Sequence, residues 1–129
     1  MSDRFNMSGD FRGAIINIKS TLTNVQQSVG DIHSGNDQDK QELAKLIEQL
    51  NEALQKVPES HVEDALAVAQ TAGAFVEQAK AEQPNKPMLK ITGEGLKQAA
   101  ANLAAVMPAV VGIASQIVMT IGRLTGSGS

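Results

Sequence analysis

Few side chains in this sequence are of the types that do chemistry, and the two histidines come first. His33 falls in a predicted loop, and His61 falls in the first turn of a predicted helix. A metal site needs several converging ligands, but the sequence has no cysteine and no His-x-x-x-His or Glu-x-x-His pair. We interpret both imidazoles as solvent-facing, and we predict no metal ion and no bound cofactor.

Two short motifs resemble ligand loops without matching one. Asp31, Asp37 and Asp39 flank a glycine and an asparagine, but they lack the residue order of a calcium loop and its terminal glutamate. The run Gly93-Glu94-Gly95 is glycine-rich at a predicted helix start, where anions can bind. It matches no phosphate-binding fingerprint, and the Glu94 carboxylate would repel a phosphate. The run therefore predicts a tight turn.

Paired carboxylates would be enough for acid/base catalysis, and two pairs each lie on one predicted helix face, of which Glu59 and Glu63 are one. Glu48 and Glu52 form the other pair, but Lys45 and Lys56 are interleaved with it. Such a pattern is typical of a solvated face and not of a pocket that raises a carboxylate pKa. No Gly-x-Ser-x-Gly or Ser-x-x-Lys motif activates a serine. We predict that the protein is not an enzyme and has no catalytic residue.

The composition of the chain further limits the functional classes to which the protein can belong. The chain has 129 residues, with 14 acidic and 11 basic side chains and a net charge of −3. This balance, with no Trp or Tyr and only three Phe, disfavours nucleic-acid binding. No secretory signal is recognisable, so we expect a cytoplasmic protein. The length predicts one domain over residues 1–124, and residues 125–129 have the composition of a flexible linker or tag.

The N-terminal segment predicts a β-layer over residues 4–29. Residues 4–8 and 11–19 alternate apolar and polar side chains around a Ser-Gly-Asp turn, which predicts a hairpin. Residues 20–29 fit either a third strand or a short helix. Because Thr, Asn and Val are weak helix formers, we favour the strand.

Two amphipathic helices follow. Residues 37–57 carry one apolar stripe and end at Pro58, and residues 60–82 carry a second stripe rich in alanine. Helices joined by such a short Pro-containing turn pack as an antiparallel pair. We expect them to form a small helical bundle with a third helix.

That third helix is predicted over residues 92–123, long, apolar and kinked or split at Pro108. Residues 98–122 contain no charged side chain, so the helix must be buried in a protein core or in a bilayer. Gln, Asn, Ser and Pro within it favour a protein core, or the core of an oligomer, over insertion of residues 99–122 into a membrane. Ala100, Ala104, Pro108 and Gly112 add a stripe of small residues, which predicts close helix packing.

Three segments together resemble small α+β modules that are fused within multidomain bacterial, notably cyanobacterial-like, signalling or defence proteins. The segments are Phe5 to Val25, Leu46-Ile47-Glu48-Gln49-Leu50 and Ile91 to Lys97. The resemblance covers most of residues 4–124. It implies an appended interaction or assembly module, and it transfers no catalytic residue.

The leading interpretation is a non-enzymatic α+β oligomerisation or protein–protein interaction module. An N-terminal sheet of two or three strands leaves open edges that invite pairing with a second copy. Its partners would be further copies of the chain or other protein domains. The alternative is a membrane-active effector that inserts its C-terminal apolar helix. The residues predicted to mediate interaction are Ile15, Ile16 and Ile18 for strand pairing, and Val110, Ile113, Ile117 and Ile121 for helix packing.

Overall fold

The computed structural model describes residues 7–33 and 35–126, and this part of the chain folds into α-helices joined by turns. It contains no strand, so the predicted α+β class is wrong, whereas the expected helical bundle is confirmed. A single 3₁₀ turn, Glu59–His61, precedes the third helix. The helices are α1 Met7–Val29, α2 Asp37–Leu54, α3 Val62–Ala79, α4 Lys86–Ala101 and α5 Pro108–Thr125.

Helix α1 occupies the segment that was predicted to be a β-layer. Its apolar side chains recur at alternating spacings of four and three residues, which places them on one face of a helix. Ile18, Leu22, Val25 and Val29 on this face are buried. The β-branched residues and threonines misled the prediction, because burial of a continuous stripe outweighs their weak helix propensity. Residues 4–6 of the predicted first strand lie outside the described residues.

Helices α2 and α3 lie close to their predicted positions, but the prediction that they pack as an antiparallel pair is wrong, because α1 lies between them. Asn36 caps α2, since its side-chain oxygen accepts a hydrogen bond from the backbone N–H of Asp39 at 2.7 Å. The predicted stripe of α2 is buried at Leu43, Ile47 and Leu50. Helix α3 buries mainly alanines, so its neighbours approach its backbone closely.

The predicted third helix, residues 92–123, is two helices. Helix α4 begins six residues earlier, at Lys86, where Asn85 caps it by accepting from the N–H of Met88. It ends at Ala101, and Pro108 opens α5 at the first position, where a missing N–H costs nothing. The prediction of one helix kinked at Pro108 is therefore wrong, and the alternative of a split is confirmed. Gly93-Glu94-Gly95 lies within α4 and forms no turn.

The five helices form a closed ring. Each packs chiefly against two others, in the order α1, α2, α5, α4, α3 and back to α1. Successive helices are joined by short connections and run antiparallel, so α1, α3 and α5 point the same way. The first and last helices, α1 and α5, both pack against α2, and these contacts close the ring.

One hydrophobic core fills this ring, and every helix contributes to it. Leucines and isoleucines come mostly from α2, α4 and α5, and alanines from α3. Thr125 still belongs to α5 and Gly126 ends the helix in a left-handed conformation, whereas residues 127–129 of the predicted linker lie outside the described residues. Residues 1–6 of the predicted domain are likewise outside them.

Candidate interaction surface

The polar residues singled out in the sequence do not converge. His33 is exposed in the connection between α1 and α2, and His61 faces Asp64 one turn away, with Nδ1 and Oδ2 3.6 Å apart. Across residues 7–33 and 35–126, no group of three or more His, Asp or Glu side chains is placed to hold a metal ion. Glu94 is exposed on α4, beside Gly93, whose backbone packs against the ring of Phe75.

The seven predicted interaction residues are divided between core and surface. In α1, Ile18 is fully buried, Ile15 is partly buried and Ile16 is 64% exposed. Strand pairing through these residues is ruled out, because they lie in a helix. In α5, three of the four residues are fully buried and the other is partly buried in the core. Contact of any of the seven with a second copy stays a prediction. The four in α5 are Val110, Ile113, Ile117 and Ile121.

Exposed apolar side chains concentrate elsewhere, on the C-terminal hairpin, which we define as α4, the turn 102–107 and α5. Among the described residues, four of the five large hydrophobic side chains that are exposed belong to it. Ile91 of α4 is 64% exposed and Met119 of α5 is 61% exposed. The other two in the hairpin are Met88 and Val106.

The outward side of α5 carries no charge over the three turns from Ala109 to Met119, and the exposed Arg123 follows on the same side four residues later. Ala109, Gly112, Gln116 and Met119 are exposed at spacings of three, four and three residues, and we call this row the α5 stripe. It has open space above it, because a Cβ built on Gly112 would meet no atom within 4 Å. The predicted stripe of small residues is therefore divided: Ala100 is buried in α4, whereas Ala104, Pro108 and Gly112 are exposed.

Three lysines flank the α5 stripe. Lys86, Lys90 and Lys97 lie within a narrow arc of α4, since their spacings of four and seven residues return to one side of a helix. Thr92 and Gly95 occupy the opposite edge, where they contact α3, so the three lysines face the α5 side. All three are exposed and form no ion pair within the part of the chain that the structure describes. We call them the lysine row.

Arg123, one turn after Met119, ties the C-terminal end of α5 to α2. Its guanidinium lies 3.6 Å from a carboxylate oxygen of Asp39 and 3.3 Å from one of Glu42. It also donates a hydrogen bond to the hydroxyl of Thr120, a buried polar side chain of α5. These contacts pair the positive charge of Arg123 with two carboxylates of α2.

Helix α5 also meets the length and composition of a membrane span. Among the described residues it is the one candidate, an 18-residue helix with mean hydropathy 1.3, of which 39% is buried within the bundle. Core helices of soluble proteins have the same length and composition.

A cleft of about 320 Å³ runs between α1 and α3. Short side chains create it, and the two helices approach closely at Gly73, where a Cβ would lie 3.3 Å from Val25 Cγ2. Its walls are neutral apart from Glu77, which pairs with Lys80 at 3.1 Å. The lining residues are Thr21, Asn24, Val25, Ser28, Gln70, Gly73, Ala74 and Glu77.

Neither surface was found from the sequence. The 25 uncharged residues 98–122 identified α5 as unusual but could not show which side of it faces out. In a helix, the spacing of Lys86, Lys90 and Lys97 places them on one side. The sequence did not predict this, because residues 88–91 have the composition of a strand.

Comparison of the chain with protein-family models, with curated proteins and with solved structures found no match. The resemblance to fused bacterial modules stays a prediction.

Proposed function

We propose that this chain is a non-enzymatic self-association module whose contact surface is the outer side of the C-terminal hairpin. The observation that carries the proposal is the exposure of α5. This helix is apolar enough to be a core element, yet only 39% of it is buried and Met119 projects from its outer side. Covering this surface with a second copy would remove that apolar area from water, at about 25 cal/mol per Å².

The surface has the character of a protein contact. Met is enriched at the centres of interfaces, and the small residues Ala109 and Gly112, on the same side of α5 as Met119, leave room for a partner's backbone. No aromatic residue occurs between residues 86 and 125, so the hairpin has none of the large anchors typical of membrane-surface helices.

Sedimentation velocity over a concentration series tests the proposal with two matched variants. Met119→Glu places a charge on the α5 stripe, whereas Ile16→Glu places one on α1 at a side chain of almost equal exposure. We expect the wild-type chain to associate at high micromolar concentration, Met119→Glu to stay monomeric, and Ile16→Glu to behave as wild type. A monomeric wild-type chain would overturn the proposal, and so would equal loss in both variants.

A membrane role is the second candidate, and the hydropathy of α5 favours it. Cosedimentation with anionic and with neutral vesicles separates the two. Binding that Met119→Glu abolishes, with no self-association in solution, would replace the proposed function with this one.

A further inference from the structure

Charge is divided unevenly around the helical ring. Residues 37–82 carry ten carboxylates and four lysines, whereas residues 86–125 carry Glu94 against three lysines and one arginine. Because Arg123 is neutralised by α2, the free positive charge of the C-terminal hairpin is the lysine row. Two copies that met through the same hairpin would bring their lysine rows together, and like charges in one interface are unfavourable.

The complementary surface lies on α3. Glu63, Ala67, Gln70, Ala74 and Glu77 are all exposed at spacings of four, three, four and three residues, and we call them the α3 row. Glu63 and Glu77 stand at its ends, about 21 Å apart along the helix axis. Glu77 pairs with Lys80 at 3.1 Å, an exposed pair that a lysine of the docked row would replace. The lysine row spans about 16 Å between its outer members. Lys and Glu side chains reach far enough to close that difference.

The α1–α3 cleft adjoins this row and can accommodate an apolar side chain. Gln70, Ala74 and Glu77 belong to both the row and the cleft wall. Val25 and Gly73 form its apolar part, and a volume of about 320 Å³ is ample for a methionine side chain. Met119 is the exposed side chain of the α5 stripe that fits it.

We infer that the C-terminal hairpin of one copy docks on the α1–α3 cleft of another, with Met119 in the cleft and the lysine row against Glu63 and Glu77. This inference rests on the proposed function and specifies its partner as a second copy bound head-to-tail. In the ring, one helix interface (α3–α4) lies between the α1–α3 and α4–α5 grooves in one direction and two (α1–α2 and α2–α5) in the other, which puts the grooves on roughly opposite sides. Each docked copy therefore leaves one free hairpin and one free cleft, and such a contact propagates into an open chain.

Charge-reversal complementation tests the head-to-tail arrangement. The double variant Lys90→Glu/Lys97→Glu reverses charge on the C-terminal hairpin and leaves the cleft unchanged. The double variant Glu63→Lys/Glu77→Lys reverses charge beside the cleft and leaves the hairpin unchanged. We expect each variant alone to associate about tenfold more weakly than wild type, or worse. Mixed together, they should form a one-to-one complex through the intact cleft of the first and the intact hairpin of the second. Control variants with the same charge changes on α2 or in the turn after it, Lys45→Glu/Lys56→Glu and Glu48→Lys/Glu52→Lys, should associate as wild type.

The outcomes separate this inference from the proposed function. A wild-type chain whose mass stops at a dimer, with no complementation in the mixture, would overturn the head-to-tail contact and leave self-association standing. If the lysine and glutamate variants associate as strongly as the control variants, the head-to-tail contact is likewise overturned and self-association stands. A wild-type chain that is monomeric in solution but binds phosphatidylglycerol vesicles through the lysine row would overturn both. Circular dichroism of each variant confirms that it is folded.

Discussion

Gly35, in the connection between α1 and α2, packs directly on Leu124 in the last turn of α5. A Cβ built on Gly35 would overlap the Leu124 side chain and stand 3.1 Å from its Cα. Leu124 is buried, so the contact seals the end of the ring where α5 meets the first connection. Gly35 also has φ of +87°, a left-handed conformation that suits glycine.

Gly35→Ala should therefore destabilise the fold by about 2–4 kcal/mol, the combined effect of left-handed strain and overpacking. Urea denaturation measures the free energy of unfolding. Gly30→Ala is the matched control, because Gly30 has no positive φ and a Cβ there would meet only Gln27 O at 3.6 Å. Equal effects of the two variants would mean that Gly35 is not packed against α5.

Three glycines within helices provide a second prediction. Gly112→Ala and Gly95→Ala should each raise stability by about 1 kcal/mol, because alanine favours the helix and both sites have room for a methyl group. Gly93→Ala should gain less, because its Cβ would lie 3.2 Å from Phe75 Cζ and the ring must move. Urea denaturation at low protein concentration, where the chain is monomeric, gives the order. An equal gain at Gly93 would show that Phe75 does not pack on it.

The placement of Gly112 also shows where sequence reasoning stopped. The small-residue stripe predicted close packing, but that prediction assumed one continuous helix across Pro108. Once the segment divides, the stripe divides with it, and Gly112 lies on the outward side of α5. Because residues 98–122 are uncharged on all sides, no charged face indicated which side would be exposed.

In helix α1, the sequence does contain the helical spacing of apolar residues, but the prediction gave more weight to their β propensity. Ile18, Leu22, Val25 and Val29 have helical spacing, and all four are buried. The β-branched composition favoured strands, but tertiary burial decided the conformation. The helices α2 and α3 were predictable because charged and apolar residues alternate there with a clear period of 3.6.

The ion pairs of Arg123 give a third prediction. Arg123→Gln should lower the free energy of unfolding by about 0.5 kcal/mol, since the guanidinium and its carboxylate partners are all partly exposed. The difference between variant and wild type should shrink at 1 M salt, where the Debye length is about 3 Å. A double-mutant cycle with Asp39→Asn isolates the pair. An effect that does not change with salt would assign the role of Arg123 to packing of its aliphatic stem instead.

Pro108 provides the last prediction, because its two possible environments give opposite signs. Inside a continuous helix, proline removes a hydrogen bond and clashes with the preceding turn, so Pro108→Ala would raise stability by about 3 kcal/mol. At the first position of α5 its absent N–H has no helical partner to lose, and its fixed φ restricts the unfolded chain. We therefore expect Pro108→Ala to lower stability by about 0.5 kcal/mol. Pro87→Ala, in the first turn of α4, is the matched control and should change stability in the same direction. A gain of more than about 1 kcal/mol at Pro108 alone, measured by urea denaturation, would mean that α4 and α5 are one kinked helix.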